Sequence, residues 1–323
     1  MKRLRLLFTA SLLSLAALAS ACASSGGGGG SVEPTPSGSN IAAEVASIDL
    51  YVGSPQRFLV GMLSADRRVV TFGKVHFAFA YTGTAEAATA PQPGPEADAA
   101  YVPTPGTPSG SGGPRLSLPS DARGVYQAEG VTFDRAGIWQ VTITADVQGA
   151  GPQSLLANFA VGEQPSYPAP GQRALPTDNH TIHSKDAPLG AIDSRAETTG
   201  KIPDPGLHEW TIAKAVAEGR PALVVFATPV YCISQFCGPV TNAVEALSKR
   251  YADRAVFIHI EIWRDYQNQM VNKAAAEWVY RNNDLTEPWV FLIGPSGTIL
   301  DRWGSLWDPK EVARELRQFP KMP

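Results

Sequence analysis

The sequence predicts two folded regions of different class, an N-terminal antiparallel β-sandwich and a C-terminal α/β domain, joined by a proline-rich linker. Three observations support this prediction. Short segments with alternating apolar residues fill residues 45–162, as in sandwich folds. Helix and strand patterns alternate over residues 206–323, as in α/β domains. Prolines and glycines are concentrated in the segments between these regions.

The size and charge of the chain limit the kinds of protein to which it can belong. A length of 323 residues is enough for two domains of ordinary size. The formal net charge is −3, and no basic stripe is visible. The sequence therefore gives no indication of a nucleic-acid partner.

Residues 1–21 are predicted to be a signal peptide. A positively charged start precedes the apolar run from Leu6 to Leu18, which is short for a membrane span. The small residues directly before Cys22 resemble the cleavage site of bacterial lipoproteins. This resemblance implies cleavage before Cys22, lipidation of its sulfur, and anchoring to the bacterial membrane on its extracytoplasmic side, in the cell envelope. An ordinary secretory peptide cut near the same place is the alternative, and both interpretations predict export.

Residues 22–44 are rich in serine, glycine and proline, and they are predicted to form a flexible tether. The β-sandwich domain follows over residues 45–162. Its predicted strands are Ala46–Val52, Gln56–Met62, Val75–Tyr81, Val125–Phe133, Gly137–Ala145 and Leu155–Val161.

Two features qualify the predicted sandwich. The segment Arg135–Ile143 resembles a late strand of immunoglobulin-like domains in bacterial surface proteins, which implies an immunoglobulin-like sandwich. Within it, Trp139, Val141 and Ile143 share one face. Residues from about 82 to 118 are rich in alanine, proline and glycine, and they are predicted to be a disordered insertion.

Residues 163–205 are predicted to be an extended, proline-rich linker. They contain His180 and His183, a spacing that binds metal on a helix. Because no third ligand lies nearby in the sequence, we interpret both histidines as solvated linker residues.

The C-terminal domain is predicted to contain four helices and four strands. The order of these elements predicts two parallel crossovers followed by a hairpin. The predicted elements are a helix at Glu209–Glu218, a strand at Ala222–Ala227, a helix at Val240–Tyr251, a strand at Ala255–Ile262, a helix at Gln269–Arg281, strands at Pro288–Ile293 and Thr298–Trp303, and a helix from Pro309 to Phe319.

Cys232 and Cys237 follow the first strand of this domain and precede its next helix. A helix N-terminus carries partial positive charge, which stabilises a thiolate and favours redox chemistry. With Cys22 lipidated, these two cysteines are an even pair in an exported protein, and they are predicted to form a disulfide. Pro239 is predicted at the first helical position, which would place Cys237 just outside the helix.

Residues 206–323 resemble the thioredoxin superfamily. The resemblance rests on the strand–cysteine–helix unit at 222–251, on the order of elements, and on Glu287-Pro288-Trp289 at the start of a strand. It implies that Pro288 follows a cis peptide bond, packs against the cysteine pair and presents backbone to a partner chain. It also implies that Cys232 attacks a partner and that Cys237 resolves the mixed disulfide.

The chain departs from the family pattern at three points. Four residues separate the cysteines instead of two, Tyr231 replaces the usual tryptophan, and the strand before the cysteines lacks the family's buried acid. Local geometry alone leaves open a swap of the two cysteine roles. Glu261, at the end of the second strand, is a candidate proton acceptor, with a solvated strand-end carboxylate as the alternative.

The predicted function is thiol–disulfide exchange with protein thiols or disulfides of the cell envelope, without a cofactor. One alternative is a binding module with a structural disulfide. Another is copper handling, in which His259 would be a distal ligand, although its apolar strand favours an inert core histidine. Tyr231, Phe236 and Trp263 are predicted to form an apolar rim around the pair.

Overall fold

The computed structural model describes residues 40–232 and 234–322. The predicted signal peptide, Cys22 and most of the predicted tether lie outside the described residues. Within the described part, none of the helices has the length and apolar character that a membrane crossing requires. Strands account for 41% of the described residues and helices for 17%, so this part of the protein is sheet-rich.

The first nine strands form one antiparallel sheet. They are β1 (Ile41–Val45), β2 (Gln56–Ser64), β3 (Val69–Thr71), β4 (Lys74–Gly83), β5 (Ala88–Pro103), β6 (Arg115–Ser117), β7 (Gly124–Val131), β8 (Gly137–Val147) and β9 (Gly151–Val161). Their order is β6-β3-β2-β7-β5-β4-β8-β9, and β1 also pairs with β2. The rings of Phe58 in β2 and Phe159 in β9 lie only 4.8 Å apart, although four strands separate β2 from β9. The sheet therefore folds over on itself, an arrangement compatible with the predicted sandwich.

The core of this sheet follows the alternation in the sequence. Trp139, Val141 and Ile143 of β8 are buried, as their shared face predicted. Val75, Phe77 and Phe79 of β4 are buried as well. Edge-to-face contacts link the phenylalanine rings at the centre, a geometry that stabilises aromatic cores. The contacting rings are Phe58, Phe77, Phe79, Phe133 and Phe159.

The prediction of a disordered insertion at 82–118 is wrong, because β5 occupies much of this segment. Ala100–Pro103 pairs with β7, and Ala88–Ala100 pairs with β4. The prolines at 91, 93 and 95 lie in the exposed half of β5, which has a partner on one side only, and an edge tolerates proline. Composition misled the prediction because backbone hydrogen bonds, rather than buried side chains, hold this half in place.

Two further differences lie at the start of the sheet. Residues 41–44, predicted as tether, form β1 together with Val45, and β1 pairs with β2. Residues 46–52, predicted as a strand, contain only two isolated bridges, at Tyr51 and Val52. Asp49 has a φ of 59°, which interrupts an extended run. Its carboxylate accepts hydrogen bonds from the backbone N–H groups of Ser166 and Tyr167 instead.

The predicted linker at 163–205 is packed against the C-terminal region. Tyr167 and Ala174 are buried in the core beneath the C-terminal sheet. The Trp278 indole donates a hydrogen bond to the Thr177 hydroxyl at 2.9 Å. Two short helices follow, α1 (Leu189–Ile192) and α2 (Ala196–Thr199), and then a single 3₁₀ turn at Pro205–His208.

The C-terminal region is built on a four-stranded sheet of order β11-β10-β16-β17. Its elements are α3 (Ile212–Ala217), β10 (Ala222–Ala227), α4 (Cys237–Tyr251), β11 (Val256–Glu261), β12 (Trp263–Asp265), β13 (Met270–Val271), α5 (Lys273–Val279), β14 (Tyr280–Arg281), β15 (Asp284–Leu285), β16 (Trp289–Ile293), β17 (Ile299–Gly304) and α6 (Pro309–Leu316). Strands β10 and β11 are parallel. Strand β16 runs antiparallel to β10, so the prediction of two parallel crossovers is wrong for the second one.

Strand β10 is buried on both faces, as its continuous apolar sequence predicted. Leu223, Val225 and Ala227 pack on the side of α4 and α6. The alternate residues Ala222, Val224 and Phe226 pack on the side of α3 and α5. The end of this strand is therefore held firmly from both sides.

Polar and apolar contacts join the two sheets. Arg57 in β2 donates to both carboxylate oxygens of Asp301 in β17, at 3.0 and 2.6 Å, and it also pairs with Glu311 in α6. Beside these ions, Leu306 packs into an apolar cluster with Leu59, Val102 and Val125 of the N-terminal sheet. The N-terminal sheet is thus in direct contact with the C-terminal region.

Candidate redox site

The candidate site lies where β10 ends and α4 begins. All six residues of β10 are buried, and Thr228-Pro229 ends the strand. Helix α4 begins at Cys237 itself, with Phe236 at the N-cap. Pro239 is therefore the third helical residue, and the prediction that Cys237 lies outside the helix is wrong. The first N–H groups of a helix lack partners within the helix, so they are free to act on the cysteines.

Cys232 and Cys237 form a disulfide, with their Cα atoms 6.0 Å apart. Cys237 is fully buried, whereas Cys232 is half-buried. The backbone N–H of Cys237 points to Sγ of Cys232 at 3.3 Å, and the Ser234 hydroxyl lies 3.2 Å from the same sulfur. A nucleophile from solvent reaches Cys232 first, and the helix N-terminus stabilises negative charge on that sulfur.

Glu287 is the one carboxylate that groups with the two cysteine sulfurs among the described residues. One of its oxygens and the two sulfurs all lie within 4.8 Å of one another. The backbone N–H of Thr228 donates to Oε2 of Glu287 at 3.2 Å, which ties the carboxylate to the end of β10. Sequence reasoning missed Glu287 as a site residue. Its only signal was its position directly before Pro288.

The peptide bond between Glu287 and Pro288 is cis, as predicted. Pro288 is buried directly before β16. Its carbonyl accepts a hydrogen bond from the backbone N–H of Ser305 at 3.0 Å. That carbonyl already has a partner within the chain, so the predicted presentation of backbone to a partner chain does not use it.

Glu261 and Glu287 are two acids of one polar region. Burial, followed by the negative charge of Glu261, raises the pKa of Glu287 to about 8. Glu261 is itself fully buried, and burial raises its pKa too. Its oxygens accept hydrogen bonds from the backbone N–H groups of Ser194 and Ile262, at 2.8 and 3.0 Å. The group formed with the sulfurs contains Glu287 and not Glu261, so Glu261 acts on the site through its charge.

A groove of about 510 Å³ opens beside Glu287. Tyr231, Trp263 and Tyr266 line it, together with Asp284 of β15 and Thr286 directly after this strand. The rings of Tyr231 and Tyr266 stack with their centroids 3.9 Å apart. Two of the three predicted rim residues, Tyr231 and Trp263, therefore share this groove.

Phe236, the third predicted rim residue, does not line this groove. It packs, like Cys232, against the core cluster that contains Cys237, and it also packs against the apolar cluster that joins the two sheets. Its neighbour Gln235, with a φ of 62°, accepts a hydrogen bond from the guanidinium group of Arg123 at 2.8 Å. The N-terminal sheet thus contacts the loop between the cysteines, which sequence reasoning did not anticipate.

The predicted exposure of His183 and the predicted burial of His259 are both confirmed. His183 is exposed and pairs with Glu209 at 2.9 Å, and neither His180 nor His183 joins a possible metal-binding group among the described residues. His259, predicted as an inert core residue, is buried with Asp193 and His208. This trio and the group of Cys232, Cys237 and Glu287 are the two clusters of potential metal ligands in residues 40–232 and 234–322.

Comparisons with known proteins give no match: no family model, no curated protein and no solved structure matches this chain.

Proposed function

We propose that the protein catalyses thiol–disulfide exchange through Cys232 and Cys237, with Glu287 as the acid and base. The observation that carries this proposal is the position of Glu287. A carboxyl group with a pKa of about 8 lies within 4.8 Å of both sulfurs. A general acid or base works best when its pKa is close to the operating pH, and this one is.

In the oxidising direction, a partner thiolate attacks Sγ of Cys232. A bond forms between the partner sulfur and Cys232, the Cys232–Cys237 bond breaks, and the electron pair leaves on Cys237. Glu287 gives its proton to this thiolate. A second partner thiolate then attacks the partner sulfur of the mixed disulfide, and Cys232 leaves as a thiolate. The partner is oxidised to a disulfide, and the cysteine pair is reduced.

The reverse sequence reduces a partner disulfide. The Cys232 thiolate, stabilised by the N–H of Cys237, attacks the partner disulfide, forms a mixed disulfide and releases one partner thiolate. Cys237 then transfers its proton to the Glu287 carboxylate, and its thiolate attacks Sγ of Cys232, which re-forms the Cys232–Cys237 bond and releases the second partner thiolate. The same groups serve both directions, so the partner's potential sets the direction of electron flow.

The topology supports membership in the thioredoxin superfamily as part of this proposal. The order β11-β10-β16-β17, with one parallel and two antiparallel pairs, has the cysteines at the end of a central strand and a cis proline before β16. In this interpretation Glu287 supplies the proton chemistry that the apolar strand β10 lacks.

We also propose that the exchange takes place outside the cytoplasm, with the chain anchored through lipid on Cys22 and acting on envelope proteins. An oxidising compartment is where a cysteine pair of this kind persists as a disulfide. The contacts of Arg123 and Phe236 favour a supporting role for the N-terminal sheet, in which it positions the cysteine loop.

Copper or zinc handling by the reduced pair is a second candidate function. The observation that favours it is again the grouping of Cys232, Cys237 and Glu287, since two thiolates and a carboxylate are a usable ligand set. His259 belongs to a different cluster, so Glu287 replaces it as the third ligand in this version.

The test is a redox titration of the purified protein in glutathione or dithiothreitol buffers, with thiols trapped at each potential. A reduction potential above about −300 mV supports exchange. A potential far below that value identifies a structural disulfide in a binding module and overturns the proposal. A metal ion that the reduced protein binds in addition to any bound by the oxidised protein, and that a Cys232→Ser variant does not bind, favours metal handling.

A further inference from the structure

A second cluster of functional side chains lies apart from the disulfide. Asp193 directly follows α1, His208 ends the 3₁₀ turn, and His259 lies in the middle of β11. Each side chain is at most 1% exposed. One ligand atom of each lies within 4.8 Å of the others. Three distant chain segments thus converge on one buried point.

The hydrogen atoms available in this cluster do not give every ring nitrogen a hydrogen-bond partner. Nε2 of His259 lies 3.1 Å from the carbonyl oxygen of Ala227, which accepts only, so Nε2 carries the hydrogen. In the neutral ring, Nδ1 is then a bare lone pair, and it faces Oδ2 of Asp193 at 3.5 Å. Neither ring nitrogen of His208 has a hydrogen-bond partner, although both are buried. A lone pair facing a carboxylate requires a positive charge between them.

The distances favour a metal ion over a proton. Nε2 of His208 lies 3.4 Å and Nδ1 of His259 lies 3.5 Å from the same carboxylate oxygen. A charge-assisted hydrogen bond between an imidazolium and a carboxylate would shorten to roughly 2.7–2.9 Å. Ligands about 2.1 Å from a tetrahedral zinc ion are roughly 3.4 Å apart. The observed separations of 3.4 and 3.5 Å match the spacing of ligands around zinc.

The surroundings hold the three groups in place. The ring N–H of His259 donates to the backbone carbonyl of Ala227. A hydrogen bond of this kind orients a metal-binding histidine. Asp193 accepts from the backbone N–H and the guanidinium of Arg195, at 2.9 and 2.7 Å, which fixes the carboxylate. Arg195 is balanced in turn by Asp204 at 2.7 Å.

We propose that Oδ2 of Asp193, Nε2 of His208 and Nδ1 of His259 bind one divalent transition-metal ion of the zinc class. Two imidazoles and one carboxylate leave one position of a tetrahedral site for a further ligand. The site is independent of the redox proposal, because none of its ligands is a cysteine. It lies close to the redox site along the chain, since Ala227 precedes Thr228, which hydrogen-bonds Glu287.

The test uses Zn²⁺ and the oxidised protein, in which the cysteines are unavailable as ligands. Competition with a chelator of known affinity should give one zinc per chain. Asp193→Asn, which keeps the shape of the side chain, should weaken binding at least about 100-fold, since changes to residues that only orient a metal ligand already cost about 10- to 100-fold. His183→Gln is the control, because His183 also faces a carboxylate but lies on the surface. A Cys232→Ser/Cys237→Ser double variant should bind as the parent does.

X-ray absorption of the zinc-loaded parent protein keeps the proposal testable even where a variant fails to fold. The expected first shell contains nitrogen and oxygen only, with scattering from two imidazole rings. Three results would overturn the proposal: no zinc bound by the parent protein at micromolar concentrations, unchanged affinity in Asp193→Asn, or sulfur in the first shell.

Discussion

Burial of Glu287, reinforced by the negative charge of Glu261, raises the pKa of the Glu287 carboxyl group to about 8. The carboxyl group is therefore largely protonated at neutral pH. It lies beside two sulfurs that gain or lose protons when the disulfide opens or closes. This relationship links an electrostatic property of the fold to the proposed function, and two predictions depend on it.

The first prediction concerns rate. Opening of the disulfide by a small thiol that is ionised throughout the pH range should slow as pH rises through about 8, because Glu287 loses the proton that Cys237 needs. Glu287→Gln should abolish this inflection and slow the reaction about 10²-fold at neutral pH, the lower end for general acid catalysis. Stopped-flow measurement of thiol release would check both. Asp284→Asn, which removes another acid of the groove, is the control, and an inflection that survives in Glu287→Gln would contradict the assignment.

The second prediction concerns stability. A carboxyl group whose pKa rises on folding from 4.5 to about 8 contributes stability below pH 4.5 that is lost as pH rises to 8. Glu287→Gln cannot ionise, so its free energy of unfolding should fall less than that of the parent between pH 5 and 8. The difference should reach a few kcal/mol, since one pKa unit corresponds to about 1.4 kcal/mol. Urea unfolding of both oxidised proteins across this range would check it, and parallel pH profiles would refute it.

The aromatic groove beside the disulfide gives a third prediction. If partner chains bind there, Trp263→Ala should lower kcat/KM for a protein substrate about tenfold, an energy expected for an interface aromatic. The Trp263→Ala variant should react with glutathione at the rate of the parent protein, because the sulfurs and Glu287 are untouched. Trp210→Ala is the matched control, since Trp210 is also a partly exposed tryptophan but lies outside the groove. Equal losses with both substrates would point to damage at the cysteines instead.

The contact between the two sheets gives a fourth prediction. Arg57 pairs with Asp301 and Glu311, and its guanidinium lies 4.9 Å from the centroid of the Trp303 ring. Arg57→Ala leaves both acids without this partner, so it should lower the free energy of unfolding by about 3 kcal/mol. Arg135→Ala, which breaks an exposed pair with Asp134, should cost less than about 1 kcal/mol. If denaturant unfolding showed that Arg57→Ala and Arg135→Ala lower the free energy of unfolding by similar amounts, the contact between the sheets would contribute little.

Local periodicity predicted most strands and helices of the fold. The buried strand β10 and the alternating strand β8 were recognisable because their side chains report burial directly. Strand β5 was not recognisable, since its prolines and alanines form a ladder through backbone atoms. The direction of β16 was also hidden, because a buried apolar strand has the same sequence in either direction.

The candidate site was predictable only where its residues are close in sequence. Cys232 and Cys237 were predicted from their position between a strand and a helix, and the cis bond at Pro288 was predicted from the family resemblance. Glu287 was missed, since its approach to the sulfurs depends on how β16 pairs with β10. The trio of Asp193, His208 and His259 comes from segments that only the tertiary fold brings together, and no spacing in the sequence signals it.

The most direct test of the central claim is reaction of reduced single-cysteine variants with a peptide disulfide. The Cys232 thiolate of Cys237→Ser should attack this disulfide, release one peptide thiolate and keep the other peptide as a stable mixed disulfide, detected by mass, because the resolving sulfur is gone and Cys232 is the accessible one. Cys232→Ser should react much more slowly, since Cys237 is fully buried. Equal labelling of the two variants, or none in Cys237→Ser, would contradict a catalytic Cys232 and identify the disulfide as structural.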